Sequence, residues 1–370
     1  MSSARRLSFL ALASVLSLPA HAEYQFDRIG EYDAFVDGVL QTDANWFDDD
    51  HRDFVNDAEF RRAEIIFRLK NEKNTEFYVG YDPRADKWLD VYAKFMVGPG
   101  GQVRVGQYKQ SMNMEELIST KNIDFVSRAL PNLFTVGRRL GVDYMQFGSN
   151  WTASIGVYDR ELTNNAGKGT GVIARATYAP IHEAEETLHL GIAALSQDQA
   201  KGVARFSTRP EADLANFRLV DSGNLVEAER NNQIGLEAAY SNGPWALQGE
   251  YLRADVSRGA GFDNYVADGY YVYGTWFVTG EAKTYKQGKF DYPVPNDPGK
   301  GAIELGLRYS AVNLDDGAVL GGEEQNWTVG ANWYWRSNFK LALDYTAVSS
   351  EKAGVSDDPN IVSARFQFMF

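Results

Sequence analysis

The side chains in this sequence that can do chemistry are charged and hydroxylic rather than nucleophilic. None of the 370 residues is cysteine, which closes thiolate catalysis and thiolate metal sites. Of the four histidines, His21 falls in an N-terminal leader, His51 in a loop and His182 beside a turn. His189 lies on the polar face of its strand, with no serine nucleophile motif near it. The sequence has no Gly-x-Ser-x-Gly, no metal-spaced histidine pair and no phosphate-cradling glycine loop, so hydrolysis is disfavoured and no metal or cofactor is expected. What the sequence does concentrate is positive charge. From Arg104 to Arg139 stand six basic and three acidic residues, a local excess of cations in a chain of formal charge −13. Guanidinium and ammonium groups with hydroxyls beside them can replace the water shell of a small anion. The negative total argues against nucleic acid as a partner, because a phosphate backbone attracts the opposite sign. Taken globally, it points toward cations. The run Asp48-Asp49-Asp50 suits a divalent cation or lipopolysaccharide, and a solvated acidic loop accounts for it more simply.

Those residues must be held by strands. A mean hydropathy of −0.38 rules out a bundle of membrane-crossing helices, each of which needs about 20 mostly apolar residues. An aromatic content of 13% with 34 glycines excludes disorder and favours strands and turns. Arg5 and Arg6, an apolar stretch from Leu7 to Leu18 and the triplet Ala20-His21-Ala22 read as a cleaved signal peptide over residues 1–22. Removing it leaves a mature domain of residues 23–370 with 35 basic and 50 acidic residues, a net −15. Beyond the leader, stretches of about ten residues alternate apolar with polar between Gly, Asn, Asp and Pro. Leu89, Val91, Ala93 and Phe95 interleave with Asp90, Tyr92 and Lys94; Trp327, Val329, Ala331 and Trp333 interleave with Thr328, Gly330 and Asn332. A soluble β-sandwich shares this pattern. Tryptophans at strand ends (Trp88, Trp151, Trp245, Trp335) favour an outer-membrane barrel. So does a last strand carrying Phe366, Phe368 and Phe370, which resembles the signal read by the barrel-assembly machinery.

Candidate strands lie near residues 30–41, 58–70, 74–82, 86–97, 101–109, 138–148, 150–161 and 169–179. Others lie near 186–197, 231–241, 244–255, 264–279, 301–313, 324–336, 338–349 and 360–370. The expected fold is all-β, a 16-stranded antiparallel transmembrane β-barrel too wide for side chains to fill, so a pore is the default function. Tight turns at Asn71-Glu72-Lys73, Pro99-Gly100, Ser149-Asn150, Asn242-Gly243-Pro244 and Ser337-Asn338 read as periplasmic, and the longer connections as external. Gly280–Lys300 is an exception, long yet on the periplasmic side. The third external connection, Gln110 to Val136, breaks the alternation. Its stretch from Met112 to Leu130 reads as partly helical, with Leu117, Ile118, Phe125 and Val126 set against Glu115, Glu116, Lys121 and Asp124. It either folds inward to narrow the channel or lies outside as a surface helix, and periodicity does not decide between them.

Four stretches, in order along the mature chain, carry a resemblance. The first is Phe60-Arg61-Arg62-Ala63. The second joins Gly106-Gln107-Tyr108-Lys109, Met114-Glu115-Glu116-Leu117-Ile118-Ser119-Thr120 and Arg128-Ala129-Leu130-Pro131. The third is Gly243-Pro244-Trp245-Ala246-Leu247-Gln248-Gly249-Glu250-Tyr251, and the fourth Gly269-Tyr270-Tyr271-Val272 with Trp276-Phe277-Val278-Thr279-Gly280-Glu281. Together they resemble the phosphate-selective porin O/P family. The resemblance implies a homotrimer of barrels with an inward-folded third external loop, passing phosphate, pyrophosphate or polyphosphate through an arginine-lined constriction. It matches the constriction to Arg61 and Arg62, to the hydroxyl pair Ser119 and Thr120 with Lys121 after it, and to Arg128. Arg138 and Arg139 stand where the next strand begins, with Arg139 on the Gly141/Asp143 face. Period two puts Arg62 with Glu64 and Arg68 on the water face and Arg61 on the lipid face unless a bulge turns it. Each arginine is alternatively an ion-pair partner for a lumen carboxylate, of which Glu64, Asp90, Asp143, Glu250, Glu304 and Asp344 fall on water faces. The external segment Asp198–Arg230 resembles the family's mouth-side arginine ladder through Arg205, Arg209, Arg218 and Arg230, though it holds six acids against five bases. Lys283, Lys286, Lys289 and Lys300 resemble an inner lysine cluster on the periplasmic side; an ordinary solvated turn would look the same.

The expected function is thus an outer-membrane porin for small, phosphate-like anions, seated in lipid and lipopolysaccharide. A general diffusion porin of weak or cation selectivity is the nearest rival, ahead of an outer-membrane hydrolase or an adhesive barrel.

Overall fold

Every polar backbone group inside a bilayer must find a partner within the protein, and a sheet meets that demand only by closing on itself. The computed structural model of the chain describes residues 24–163, 169–336 and 338–370. The expected signal peptide, with cleavage expected after Ala22, lies outside the described residues, as does Ser337 of the last tight turn.

The wall begins with β1 (Tyr32–Asp48), β2 (Asp57–Lys70), β3 (Glu76–Asp82) and β4 (Lys87–Met96). It continues through β5 (Gly101–Lys109), β6 (Arg138–Phe147), β7 (Trp151–Tyr158) and β8 (Gly171–His182). Next come β9 (Glu186–Asp198), β10 (Ala228–Asn242), β11 (Trp245–Arg258) and β12 (Tyr265–Phe277). The last four are β13 (Ala302–Asp316), β14 (Val319–Trp335), β15 (Phe339–Lys352) and β16 (Asn360–Met369). Each pairs antiparallel with its sequence neighbours, and β1 closes the ring against β16, from Val39 opposite Met369 to Asp48 opposite Asn360. Tyr24–Ile29 forms a short hairpin strand on the start of β1.

The wall is inside out relative to a soluble protein. Along β8, Val172 and Tyr178 are 47% and 51% exposed, whereas Arg175 and Thr177 between them are 5% exposed. Apolar side chains therefore face lipid and polar ones the lumen, the distribution a membrane barrel requires. Trp245 and Trp276 stack at 5.0 Å near a tight turn and fit an interfacial girdle. The C-terminus completes the seam. Gly38 N–H donates to the Phe370 carbonyl at 3.0 Å and Phe370 N–H donates back at 3.2 Å. A Cβ on Gly38 would stand 2.6 Å from the Phe370 ring, so the close approach needs glycine.

Buried apolar clusters form where connecting segments press on the wall's inner face. Leu130 and Phe134 of segment 110–137 meet Phe206, Val220 and Leu225 of segment 199–227, and both pack on Leu252, Val256, Tyr265, Val312 and Leu314. From the other end, Phe290 of segment 278–301 joins Met114, Ile118 and Ile123. Three connecting segments thus pack on one another and on side chains of the wall.

Candidate functional site

Segment 110–137 is less helical than its periodicity suggests. One turn, α1 (Met114–Leu117), and a 3₁₀ turn at Leu130–Phe134 are its regular elements. The rest is held by side chains satisfying backbone groups that a longer helix would have satisfied itself. Arg128 Nε donates to the Glu115 carbonyl at 3.1 Å and its Nη2 to the Ile118 carbonyl at 2.7 Å. Lys109 Nζ reaches the Glu116 carbonyl, and Lys289 Nζ the Leu117 carbonyl at 3.2 Å. The orphan carbonyls of α1 carry partial negative charge, which draws these cations together. Inward-facing wall residues hold the remainder. Lys340 Nζ donates to the Ile123 carbonyl at 2.6 Å, Arg308 Nη1 to the Ser127 carbonyl at 2.8 Å, and Val126 N–H to Asp344 at 2.7 Å.

Between this segment and the wall lies a cavity of about 600 Å³. Ser119, Thr120 and Lys121 line it together with Arg68, Lys109, Arg138 and Lys289. Asp37, Glu64, Asp90 and Asp291 line it too, so five cations face four carboxylates. Most of the cations are paired. Arg68 meets Asp37 at 2.6 Å, Arg138 meets Asp90 at 3.1 Å, and Lys121 stands 3.8 Å from Asp37. Lys289, among the described residues, forms no ion pair, and burial pushes its ammonium pKa down. Burial raises the pKa of Glu116, but Lys109, Arg128 and Arg138 outweigh that effect and bring it down to about 2. Its environment is electropositive.

The sequence-named arginines are placed unevenly. Register slips by one residue between Gln41 and Thr42, which face Arg62 and Phe60, so Arg61 is the extra residue of a bulge. The bulge turns Arg61 off the lipid face, and its Nε meets Asp213 of segment 199–227 at 3.0 Å. Arg62 donates to Gln41 Oε1 at 2.6 Å, and Gln41 Nε2 donates to the Thr120 carbonyl at 3.3 Å, linking the pair to the cavity rim. Arg128 staples segment 110–137 instead of facing the cavity. Arg139 lies behind Arg138, bonded to the Arg138 carbonyl at 2.6 Å and 3.7 Å from Glu161.

The arginines of segment Asp198–Arg230 are largely engaged. Arg205 is paired with Asp221 and Arg230 with Asp198, while Arg209 Nε caps the Ala215 carbonyl at 2.6 Å. Arg218 is exposed. Of the lysines in segment 278–301, Lys283 is buried between Asp124 at 2.6 Å and Glu304 at 3.2 Å, Lys286 is exposed, and Lys289 reaches the cavity. Arg308, Arg365, Glu211 and Asp213 join the site without matching any motif in the sequence. Alternation on β13 and β16 marks both arginines as inward-facing, whereas nothing in a mixed-charge loop singles out its two carboxylates.

A family model described as phosphate-selective porin O and P matches residues 36–370. The chain belongs to that family. Among curated relatives, an uncharacterized protein of Caulobacter vibrioides is 28% identical over 85% of this chain and 68% of its own length. Porin O of Pseudomonas aeruginosa is 26% identical over 53% of this chain and 52% of its own. Among solved structures, an anion-selective porin from Comamonas acidovorans superposes with a TM-score of 0.60 at 12% identity, covering 92% of this chain and all of that one. Family and fold together make this protein an outer-membrane porin of the Gram-negative envelope.

Proposed function

We propose that the channel passes small anions, with phosphate, pyrophosphate and polyphosphate as its preferred solutes. The observation that carries this reading is the cavity, where Ser119, Thr120 and Lys121 face Arg68, Arg138 and Lys289. An anion entering it trades water for guanidinium forks, an ammonium and hydroxyls in several modest steps. One very strong site would hold the ion and stop conduction. Arg62 and Arg61 extend the path outward, and Arg128 and Arg139 support it from behind. Arg205, Arg209, Arg218 and Arg230 line the approach from outside, with Lys283, Lys286 and Lys289 on the periplasmic side. We also propose that the chain is exported by its N-terminal leader and inserted through recognition of the β16 end at Phe370. It then assembles as a homotrimer in lipid and lipopolysaccharide.

A second reading, weak or cation selectivity, is favoured by the four carboxylates on the same cavity and by the −13 total. Reversal potentials in planar bilayers under a KCl gradient separate the two. Anion preference together with block of chloride current by millimolar phosphate supports the first; cation preference refutes it.

A further inference from the structure

The segment between β9 and β10 carries a carboxylate where a solute anion would sit. Asp213 Oδ2 stands 3.0 Å from Arg61 Nε, 3.8 Å from Arg62 Nη2 and 3.9 Å from Arg365 Nη2. One oxygen therefore faces three guanidiniums from two strands, the arrangement a phosphoryl oxygen would take. The wall supplies two further carboxylates: Asp43, which grips Arg365 at 2.7 and 2.6 Å, and Glu64, 3.9 Å from Arg62. Asp213 thus balances the third positive charge. Unlike Asp43 and Glu64, it belongs to a connecting segment, not to the wall.

Its position is built rather than accidental. Leu214 N–H donates to Asn45 Oδ1 at 3.2 Å, and Ala212, Ala215 and Leu219 pack on Phe54, Val348 and Ile361. Two residues before it, Glu211 accepts bonds from Arg308 at 2.8 Å and from Leu130 N–H at 3.1 Å. The segment is anchored, and the Asp213 and Arg61 side chains are still 31% and 30% exposed, so this edge of the cluster is open to a dissolved ion while Arg365 lies buried behind it.

We propose that Asp213 is the specificity-determining residue of the outer half of the channel: an internal carboxylate that occupies the Arg61–Arg62–Arg365 cluster and competes with the anionic solute for it. The inference rests on the anion reading above. On this account Asp213 keeps the cluster from holding an anion too tightly and sets the concentration at which a multiply charged anion enters. A solute oxyanion displaces Asp213 from its three partners, and the carboxylate returns when the ion moves inward.

The test uses the full mature chain in planar bilayers, comparing wild type with Asp213→Asn, which keeps shape and removes charge. Inorganic phosphate and pyrophosphate are the blockers of chloride current, and Glu229→Gln, exposed at the external end, controls for loss of one charge. Asp213→Asn is expected to lower the half-blocking phosphate concentration about two- to fivefold, the scale of one partly exposed ion pair. It should also raise the chloride-to-potassium permeability ratio, and Arg62→Ala in the same chain should abolish both gains. Block and permeability ratio equal to wild type, with phosphate blocking both, overturn the role of Asp213 and leave the anion channel standing. Phosphate block present in Asp213→Asn but missing from wild type supports the competitor and refutes phosphate as the native solute. No block in either chain, with an unchanged ratio, overturns both. Digestion of segment 199–227 should quicken modestly in the variant, which has lost one anchor while Glu211 keeps the segment docked; faster digestion with unchanged block overturns the competitor as well.

Discussion

Glu211→Ala is the perturbation whose size the geometry fixes best. The Glu211 and Arg308 side chains are each 1% exposed and meet at 2.8 Å. The same carboxylate accepts hydrogen bonds from the Ser310 hydroxyl, the Thr328 hydroxyl at 3.1 Å and Leu130 N–H at 3.1 Å. Truncation leaves Arg308 with the Ser127 carbonyl as its remaining hydrogen-bond partner and strands the Ser310 hydroxyl and Leu130 N–H, while the Thr328 hydroxyl keeps Thr346. Breaking a buried ion pair from one side costs about 3–5 kcal/mol, because the surviving charge stays desolvated. At about 1.4 kcal/mol per decade, the undocked population of segment 199–227 rises by roughly two to three and a half orders of magnitude. Chymotryptic cleavage of the reconstituted protein, mapped to Phe206, Leu219 and Leu225, reads that population, since these sites are 6%, 2% and 1% exposed when docked, whereas Phe217 is exposed in the docked segment and is set aside. The released segment should be cut at least a hundredfold faster, with current noise rising in parallel. A cutting rate within threefold of wild type would refute the claim that Glu211 anchors the segment.

Other substitutions separate solute contacts from scaffolding. Lys121→Ala should raise the half-blocking phosphate concentration about three- to tenfold while leaving the conductance histogram in place, measured by titrating phosphate against chloride current. Lys289→Ala should raise it and also broaden the histogram, because it frees the Leu117 carbonyl. Arg128→Ala frees the carbonyls of Glu115, Glu116 and Ile118, so it should broaden the conductance histogram itself. Acid should loosen the outer segment. Burial raises the pKa of Asp213, but Arg61, Arg62 and Arg365 outweigh that effect and bring it from 3.8 to about 2. A depressed carboxyl contributes stability above pH 3.8 and loses it as the pH falls through about 2, so digestion of segment 199–227 should quicken across that window in wild type and stay flat in Asp213→Asn. Gly38→Ala puts a Cβ 2.6 Å from the Phe370 ring and 2.7 Å from the Glu64 carbonyl. It should cost about 1–3 kcal/mol and lower the temperature at which the folded barrel loses its fast gel mobility.

The wall was legible in the sequence because a membrane barrel repeats one instruction. Lipid on one face and water on the other impose period two on every strand, and each alternating stretch counted from the sequence corresponds to a wall strand of the structure. What the period missed are its interruptions. Arg61 reads as lipid-facing by strict alternation, and the bulge that turns it inward leaves no mark in residue type. Arg138 and Arg139 sit at a strand's first residues, where alternation is weakest, and the structure puts Arg138 rather than Arg139 on the cavity. Arg128 has the right charge and the right segment for a solute contact, yet the orphan carbonyls of a one-turn helix take its guanidinium. Segment 199–227 was the least readable part. Its mixed charge gives a net near zero, and its structural meaning lies in which two carboxylates meet which buried arginines, a long-range fact that no local pattern records.

Net charge is correspondingly a poor guide to this lumen. The chain carries −13, while the cavity presents five cations and four carboxylates. Most of these cations are held by a carboxylate or a carbonyl, so on the proposed reading an anion does not fall into an empty positive well. It exchanges places with a resident partner, gaining one interaction as that partner gives one up. The net energy of each step is then the small difference between two similar ion pairs, which permits both selection and rapid release. Where the partner is fixed to the wall, as with Asp43 on Arg365, exchange is costly and the arginine acts as scaffold. Where it is carried on a connecting segment and remains partly exposed, as with Asp213 on Arg61, exchange is cheap. Selectivity in such a channel depends on which carboxylates can let go.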